Sequence, residues 1–368
     1  MATPSSKPGP VTDVPVQNST APEQTPSALP TGSVPVASSA SQSGAGPGPA
    51  ATDSTASGGA GGGANPPAPE LGGSPSMAGA GSGGEENSAG STGSPAPADP
   101  VITCPTQALS AGDSDHTLQL SSGSRTYVLH VPANYDASKP TPLVVDFHPL
   151  GGSGPSERTG SPYPAQTDPE GVISAFPSGL QGPSGNAWNV GPCCVKDADD
   201  VEFARAIVED IEKLACIDTQ RVYAVGFSMG GGMSHYLACH AADVFAAVAP
   251  AAFDLAEENS PDCSPARPIT VVSFRGTDDP IVKYDGGYSD VVSGMPITFL
   301  GAKATRDRWA ELNGCTDTAS AEDANGCSSY KQCDDGVEVW LCTKQGGGHE
   351  AGNASVAWPV LKRHTLTP

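Results

Sequence analysis

The first hundred residues of this 368-residue chain contain no Phe, Trp, Tyr or Cys. A segment without large apolar side chains cannot bury enough surface to offset the entropy of ordering. Residues 1–100 are therefore expected to form a disordered, low-complexity linker. Basic charge is also scarce, with 18 Lys and Arg against 40 Asp and Glu and a net charge of −22. One Lys and seven Asp or Glu place −6 of that charge in residues 1–100 and leave −16 for residues 101–368. So acidic a surface repels phosphate backbones and anionic lipid heads, which argues against nucleic-acid and membrane-surface partners and favours neutral polymers. No run approaches the roughly 18 apolar residues of a membrane span, so no membrane insertion is expected. The opening MATPSSKPGP likewise lacks the apolar centre of a signal peptide. No pair of cysteines has the CxxC spacing of a zinc or thioredoxin-like site, and no metal or cofactor is expected.

Ten cysteines are present, all between Cys104 and Cys342. An even count predicts disulfides and hence an extracellular protein. The adjacent Cys193 and Cys194 are expected to reach different partners, because neighbouring residues are too constrained to bond readily to each other. Cys315, Cys327, Cys333 and Cys342 are expected to staple the segment ahead of His349. The Pro- and Gly-rich pieces of the tail, NPPAPE and SGGAGGGA, suit a spacer that tethers a domain to a surface, or an extension with no specific role.

From Val101 onward apolar runs alternate with turn signals. Strands are predicted at 125–131 (RTYVLHV), 143–148 (LVVDFH), 171–176 (GVISAF), 221–226 (RVYAVG), 246–249, 269–275 (ITVVSFR) and 337–342 (VEVWLC). Several are almost continuously apolar, as strands covered on both faces are. In DDVEFARAIVEDIEKLAC, Val201, Ala204, Ile207, Val208, Ile211 and Leu214 recur at helical spacing, with Asp199 and Asp200 at the positive end. Further helices are predicted at 302–312 and 358–366. Alternating strands and helices over 101–368 specify one α/β domain around a mostly parallel sheet.

Gly226-Phe227-Ser228-Met229-Gly230 matches G-x-S-x-G, the strand-to-helix turn that presents a nucleophilic serine in α/β-hydrolase folds. RVYAVG runs into it and the helix-compatible GGMSHYLAC follows. A serine hydroxyl needs a base, and in this fold the acid and then the histidine come later in the chain. Asp278 and Asp279 follow ITVVSFRG, and His349 lies in QGGGHEAG, where a mobile Gly-rich backbone would bring the imidazole over the serine. His116, His130, His235, His240 and His364 read as structural. The oxyanion donors are expected to be the N–H of Met229 and, from the loop His148–Gly152, the N–H of Leu150, since Pro149 has none.

These residues stand in segments that resemble carbohydrate esterase family one, the group of feruloyl esterases, acetylxylan esterases and polyhydroxybutyrate depolymerase-like proteins. The resemblance covers most of residues 120–366. It rests on RTYVLHVPANYDASKPTPLVVDFHPLGGSG, AWNVGPCC with DDVEFARAIVEDI, CIDTQRVYAVGFSMGGGMSHYLAC, FAAVAP, RGTDDPIVKYDGG and GGGHEAG. It implies an α/β-hydrolase fold, assigns the acid to Asp279 rather than Asp278, and places Trp188 near the site. The group has His-Gly where this chain has His148-Pro149. Trp188 and His148 are expected to contact the substrate, with packing in the core the alternative for Trp188. The function expected is that of a monomeric, secreted serine esterase releasing feruloyl or acetyl groups from plant polysaccharide. A polyhydroxyalkanoate depolymerase and a non-catalytic surface-tethered module are the alternatives.

Overall fold

In the computed structural model the residues described are 102–107, 109–290 and 294–366, and the linker expected over residues 1–100 lies outside them. The strands are β1 (Gly112–Leu120), β2 (Gly123–Val131), β3 (Thr141–Phe147), β4 (Ile173–Pro177), β5 (Leu180–Gly182), β6 (Gly185–Ala187), β7 (Ile217–Phe227), β8 (Ala247–Ala251), β9 (Thr270–Gly276), β10 (Gly287–Ser289), β11 (Ile297–Phe299), β12 (Cys327–Tyr330) and β13 (Val339–Lys344). The helices are α1 (Gly154–Gly160), α2 (Pro164–Thr167), α3 (Asp200–Leu214), α4 (Met229–His240), α5 (Ala302–Leu312) and α6 (Ala354–Leu361).

Nine strands form one sheet in the order β1-β2-β4-β3-β7-β8-β9-β13-β12. From β4 to β13 every neighbouring pair is parallel. Antiparallel pairing is confined to β1, β2 and β12 towards the edges. The apolar runs have a direct structural cause. Leu143, Val145, Val222, Ala224 and Val271 face a core shared with α3, α4 and α5, while Val144, Tyr223, Val225 and Val272 face a second core closed by α6. Successive side chains point to opposite faces, so a strand covered on both sides must be apolar at every position.

The predicted strands and α5 are found within a few residues of their expected ends. Three features differ. α6 begins at Ala354, four residues before its expected start, because the Asn353 side chain caps it by accepting the Ser355 N–H at 3.1 Å. β1 and β12 are not among the predicted strands. The third difference is covalent: Cys193 and Cys194 bond to each other, not to separate partners. The peptide between them is cis, and their Cα atoms lie 3.3 Å apart. The other pairs are Cys104–Cys216, Cys239–Cys263, Cys315–Cys333 and Cys327–Cys342. The last ties β12 to β13, next to the segment that leads to His349.

An acidic pair joins β3 to α1. Asp146 of β3 is enclosed, its Oδ2 accepts a 2.5 Å hydrogen bond from Ser161 Oγ, and burial pushes its carboxyl up to about 7. Burial, reinforced by the nearby Asp146 charge, pushes Glu157 of α1 up as well. A carboxyl whose folded value lies above its unfolded value favours the folded state while protonated. Its contribution is complete below about 4 and is lost as pH rises through about 7. Asp146→Asn keeps a hydrogen-bonding group but cannot ionise. Thermal melts at pH 5 and pH 8 should show a smaller loss of Tm on going to pH 8 in this variant than in the wild type, and equal losses would remove Asp146 as the cause.

Candidate active site

The C-terminal ends of β3, β7, β9 and β13 lie together, and the functional candidates leave the sheet there. Ser228 stands between β7 and α4 with φ 55° and ψ −121°, a conformation that L-residues rarely adopt. Its N–H donates to Ala251 O at 2.9 Å. The flanking glycines are required by space: a Cβ on Gly230 would overlap the Phe147 carbonyl, and one on Gly226 would overlap Gly230. G-x-S-x-G is thus the price of packing α4 hard against the end of β3.

His349 Nε2 lies 2.8 Å from Ser228 Oγ, and its Nδ1 lies 2.9 Å from Asp279 Oδ2. A carboxylate only accepts, so the proton sits on Nδ1 and Nε2 is free to accept from the serine hydroxyl. Asp279 is fully buried and fixed from its other side, Oδ1 accepting the N–H groups of Ile281 at 2.8 Å and Val282 at 3.0 Å. Asp278 is exposed and takes only the Thr277 hydroxyl, at 3.1 Å. The Gly-rich loop is not slack as expected. Asp278 N–H donates to Gly347 O at 2.8 Å, Gly346 N–H to Thr277 Oγ1 at 2.8 Å, and a Cβ on Gly276 would overlap Gly347 O. The glycines let the loops carrying acid and base press together and hold one another.

Behind Asp279 lies a buried ion pair that sequence reasoning missed. Arg275 is paired with Asp254 and has its guanidinium 3.9 Å from Asp279. Burial pushes the Asp254 carboxyl up to about 6, against the pull of the Arg275 charge. The available signal was a charged residue ending each of two apolar runs, ITVVSFR and PAAFD.

The loop expected to supply an oxyanion donor is held by His148 and Trp188. Gly179 N–H donates to His148 Nε2 at 2.9 Å, so Nδ1 carries the proton and donates to Pro149 O at 2.7 Å. Gly152 N–H also donates to Pro149 O, at 2.9 Å. A planar trans peptide carries its C=O and N–H on opposite sides. Tying back the Pro149 carbonyl therefore turns the Leu150 N–H the other way, and Leu150 lines the same cleft as Ser228 and Met229. Met229 is the first residue of α4, where an N–H has no partner within the helix. The Pro149 carbonyl is thus held from two sides, by His148 Nδ1 and by the Gly152 N–H.

Two expectations are corrected here. Trp188 and His148 are fully buried and do not line the cleft. Trp188 Nε1 donates to His148 O at 2.9 Å and its ring packs on Phe147 and His148, so both residues support the wall from behind. Asp200, expected only to meet the helix dipole, holds the same region: it is buried, pairs with Arg125 at 2.7 Å and accepts the Asn189 N–H at 2.7 Å. Of the other histidines, His235 is enclosed beside Trp309 and burial pushes it down to about 3. His130 lies among Asp113, Asp168 and Arg158.

The cleft encloses about 60 Å³. Apart from the hydroxyls of Ser228 and Ser289, its side chains are apolar or sulfur-bearing: Val190, Phe253, Met295, Ile297, Phe299 and the Cys193–Cys194 disulfide among them. Such an arrangement can deprotonate a hydroxyl beside an apolar acyl site. Among the described residues no group of His, Cys, Asp or Glu is arranged to hold a metal ion, and no helix is long and apolar enough to cross a membrane.

Ser228→Ala should reduce ester hydrolysis to below about 1 % of wild type with the melting temperature kept, because only the nucleophile is removed. Asp279→Asn should lower kcat on the order of 10³-fold or more by reversing the tautomer of His349, while exposed Asp278→Asn should change it by less than about threefold. Equal losses in the two Asn variants would show the acid to be misplaced.

No family model matches the chain. Curated relatives do. Feruloyl esterase B of Piromyces equi is 47% identical over 245 residues, covering 66% of this chain and 46% of its own length, so the chain spans less than half of that relative. Probable feruloyl esterase C of Aspergillus oryzae is 31% identical over 248 residues, covering 64% of this chain and 80% of its own. Among solved structures, an acetyl xylan esterase from Aspergillus awamori superposes with a TM-score of 0.49 at 17% identity, covering 67% of this chain and 98% of its own. By its relation to the Aspergillus oryzae protein, and with a mostly parallel central sheet flanked by helices, the chain belongs to the feruloyl esterase family of α/β-hydrolase carbohydrate esterases.

Proposed function

We propose that the protein is an exported serine ester hydrolase that works through an acyl-enzyme and releases feruloyl or acetyl groups from plant polysaccharide. The observation that carries this reading is the continuous chain Ser228–His349–Asp279 opening into an apolar cleft. His349 Nε2 takes the proton from Ser228 Oγ as the oxygen attacks the ester carbonyl. The N–H groups of Met229 and Leu150 receive the developing oxyanion. His349 then returns the proton to the leaving sugar oxygen, and water, activated by the same imidazole, releases the acid and restores the serine.

The acyl group fits the cleft because the walls offer almost no polar partner, while the sugar stays in solvent. The names of the Piromyces and Aspergillus relatives support feruloyl as the acyl group. Pairing of all the cysteines in disulfides supports export. The net charge of −16 over residues 101–368 suits an uncharged polymer. Residues 1–100 serve as a linker to a surface or to a further module.

The test is a panel of methyl ferulate, acetylated xylan and short hydroxybutyrate oligomers with one preparation. Ferulate and acetyl esters should both be cleaved, with ferulate ahead in kcat/KM by up to about tenfold, the scale of one stacking contact. Activity confined to the oligomers would replace this reading with a polyester depolymerase. Inactivity on all three, with no labelling by a serine-directed phosphonate, would leave a binding module.

A further inference from the structure

One covalent feature of the cleft is left without a role by the machinery described above. The bond between Cys193 and Cys194 joins adjacent residues, whereas the other four join residues 15 to 112 apart. A disulfide restricts the unfolded chain by closing a loop. A bond between neighbours closes none, so loop closure does not account for its place here.

Its surroundings hold it as a fixed surface. Asn259 Nδ2 donates to Val190 O at 2.6 Å, Asn189 Nδ2 donates to Ala198 O at 2.9 Å, and Asn189 N–H is held by buried Asp200. Gly182 lies so close to the Cys194 carbonyl that a Cβ there would overlap it. Both cysteines are almost fully enclosed, at 7% and 2% exposure, yet both line the cleft of Ser228. What they present to that cleft is a compact, polarisable face without a strong hydrogen-bonding group. Met229 and Met295 add two more sulfur atoms to the same lining. Sulfur makes favourable contacts with aromatic rings, where a small aliphatic group gains little.

We infer that the Cys193–Cys194 disulfide is the specificity-determining plate of the acyl site, against which the ring of an aromatic acyl group lies. The inference rests on the esterase reading above and deepens it. The bridge takes no part in proton transfer, so its contribution falls on the choice between acyl groups rather than on the chemistry common to all esters.

The test compares Cys193→Ala/Cys194→Ala and Cys193→Ser/Cys194→Ser with the wild type on methyl ferulate and p-nitrophenyl acetate. Both double variants should lose about fivefold in kcat/KM for ferulate, chiefly through KM, and keep acetate turnover within about twofold. Retained acetate activity also reports that the variants are folded. An unchanged ferulate-to-acetate ratio overturns the inference. So does a parallel loss on both esters, which assigns the bridge a structural role. A wild type inactive on methyl ferulate would overturn the functional reading and this inference together, whereas an active wild type with an unchanged ratio in the variants overturns this one alone.

Discussion

The close approach of α4 to the end of β3 is the constraint on which the site depends. Gly230 meets the Phe147 carbonyl with no room for a side chain. That contact fixes where α4 starts, and with it the φ of 55° at Ser228 and the direction of the Met229 N–H. The next residue along β3 is His148, whose imidazole and carbonyl set the Pro149–Leu150 peptide through Gly179 and Trp188. Nucleophile and both expected oxyanion donors thus hang on one junction between two central strands. A sheet interior transmits such a constraint faithfully, because close-packed side chains leave little freedom to relax.

The acid side is organised by charge. Asp279 is enclosed with two backbone N–H donors and the imidazole, and the buried Arg275–Asp254 pair stands behind it. Enclosing one carboxylate is unfavourable unless hydrogen bonds and opposite charge replace the lost water. A second carboxylate then balances the guanidinium. Asp254, Arg275 and Asp279 alternate in sign, and Asp279 holds the His349 imidazole through Nδ1. Asp278, one residue away and exposed, has none of these partners.

Much of this was legible in the sequence because the central strands are covered on both faces, so their apolar runs are long and unmistakable. The turn at Ser228 was legible because steric exclusion demands its glycines in a fixed pattern, and the order of acid and histidine follows from the topology of the sheet. The edge strands were not. β1, GDSDHTLQL, and β12, CSSY, carry few apolar residues, and pairing with a neighbour rather than hydrophobic periodicity makes them strands. Trp188 and His148 could be placed near the site, but on which side of the wall they stand depends on hydrogen bonds to backbone groups distant in sequence. The Cys193–Cys194 bond ran against the general rule that neighbouring cysteines seek separate partners.

The base reaches the site from β13, which has only the short β12 between it and the sheet edge, while the nucleophile leaves the central β7. Edge strands are the first parts of a sheet to open. Catalytic competence in this architecture is therefore a property of the margin as much as of the middle. A molecule whose last two strands had frayed would keep the turn at Ser228 and most of its core, yet would lose the contact between His349 and Ser228. The bridge between Cys327 and Cys342 sits across that margin and ties the edge strand to the one that leads to His349.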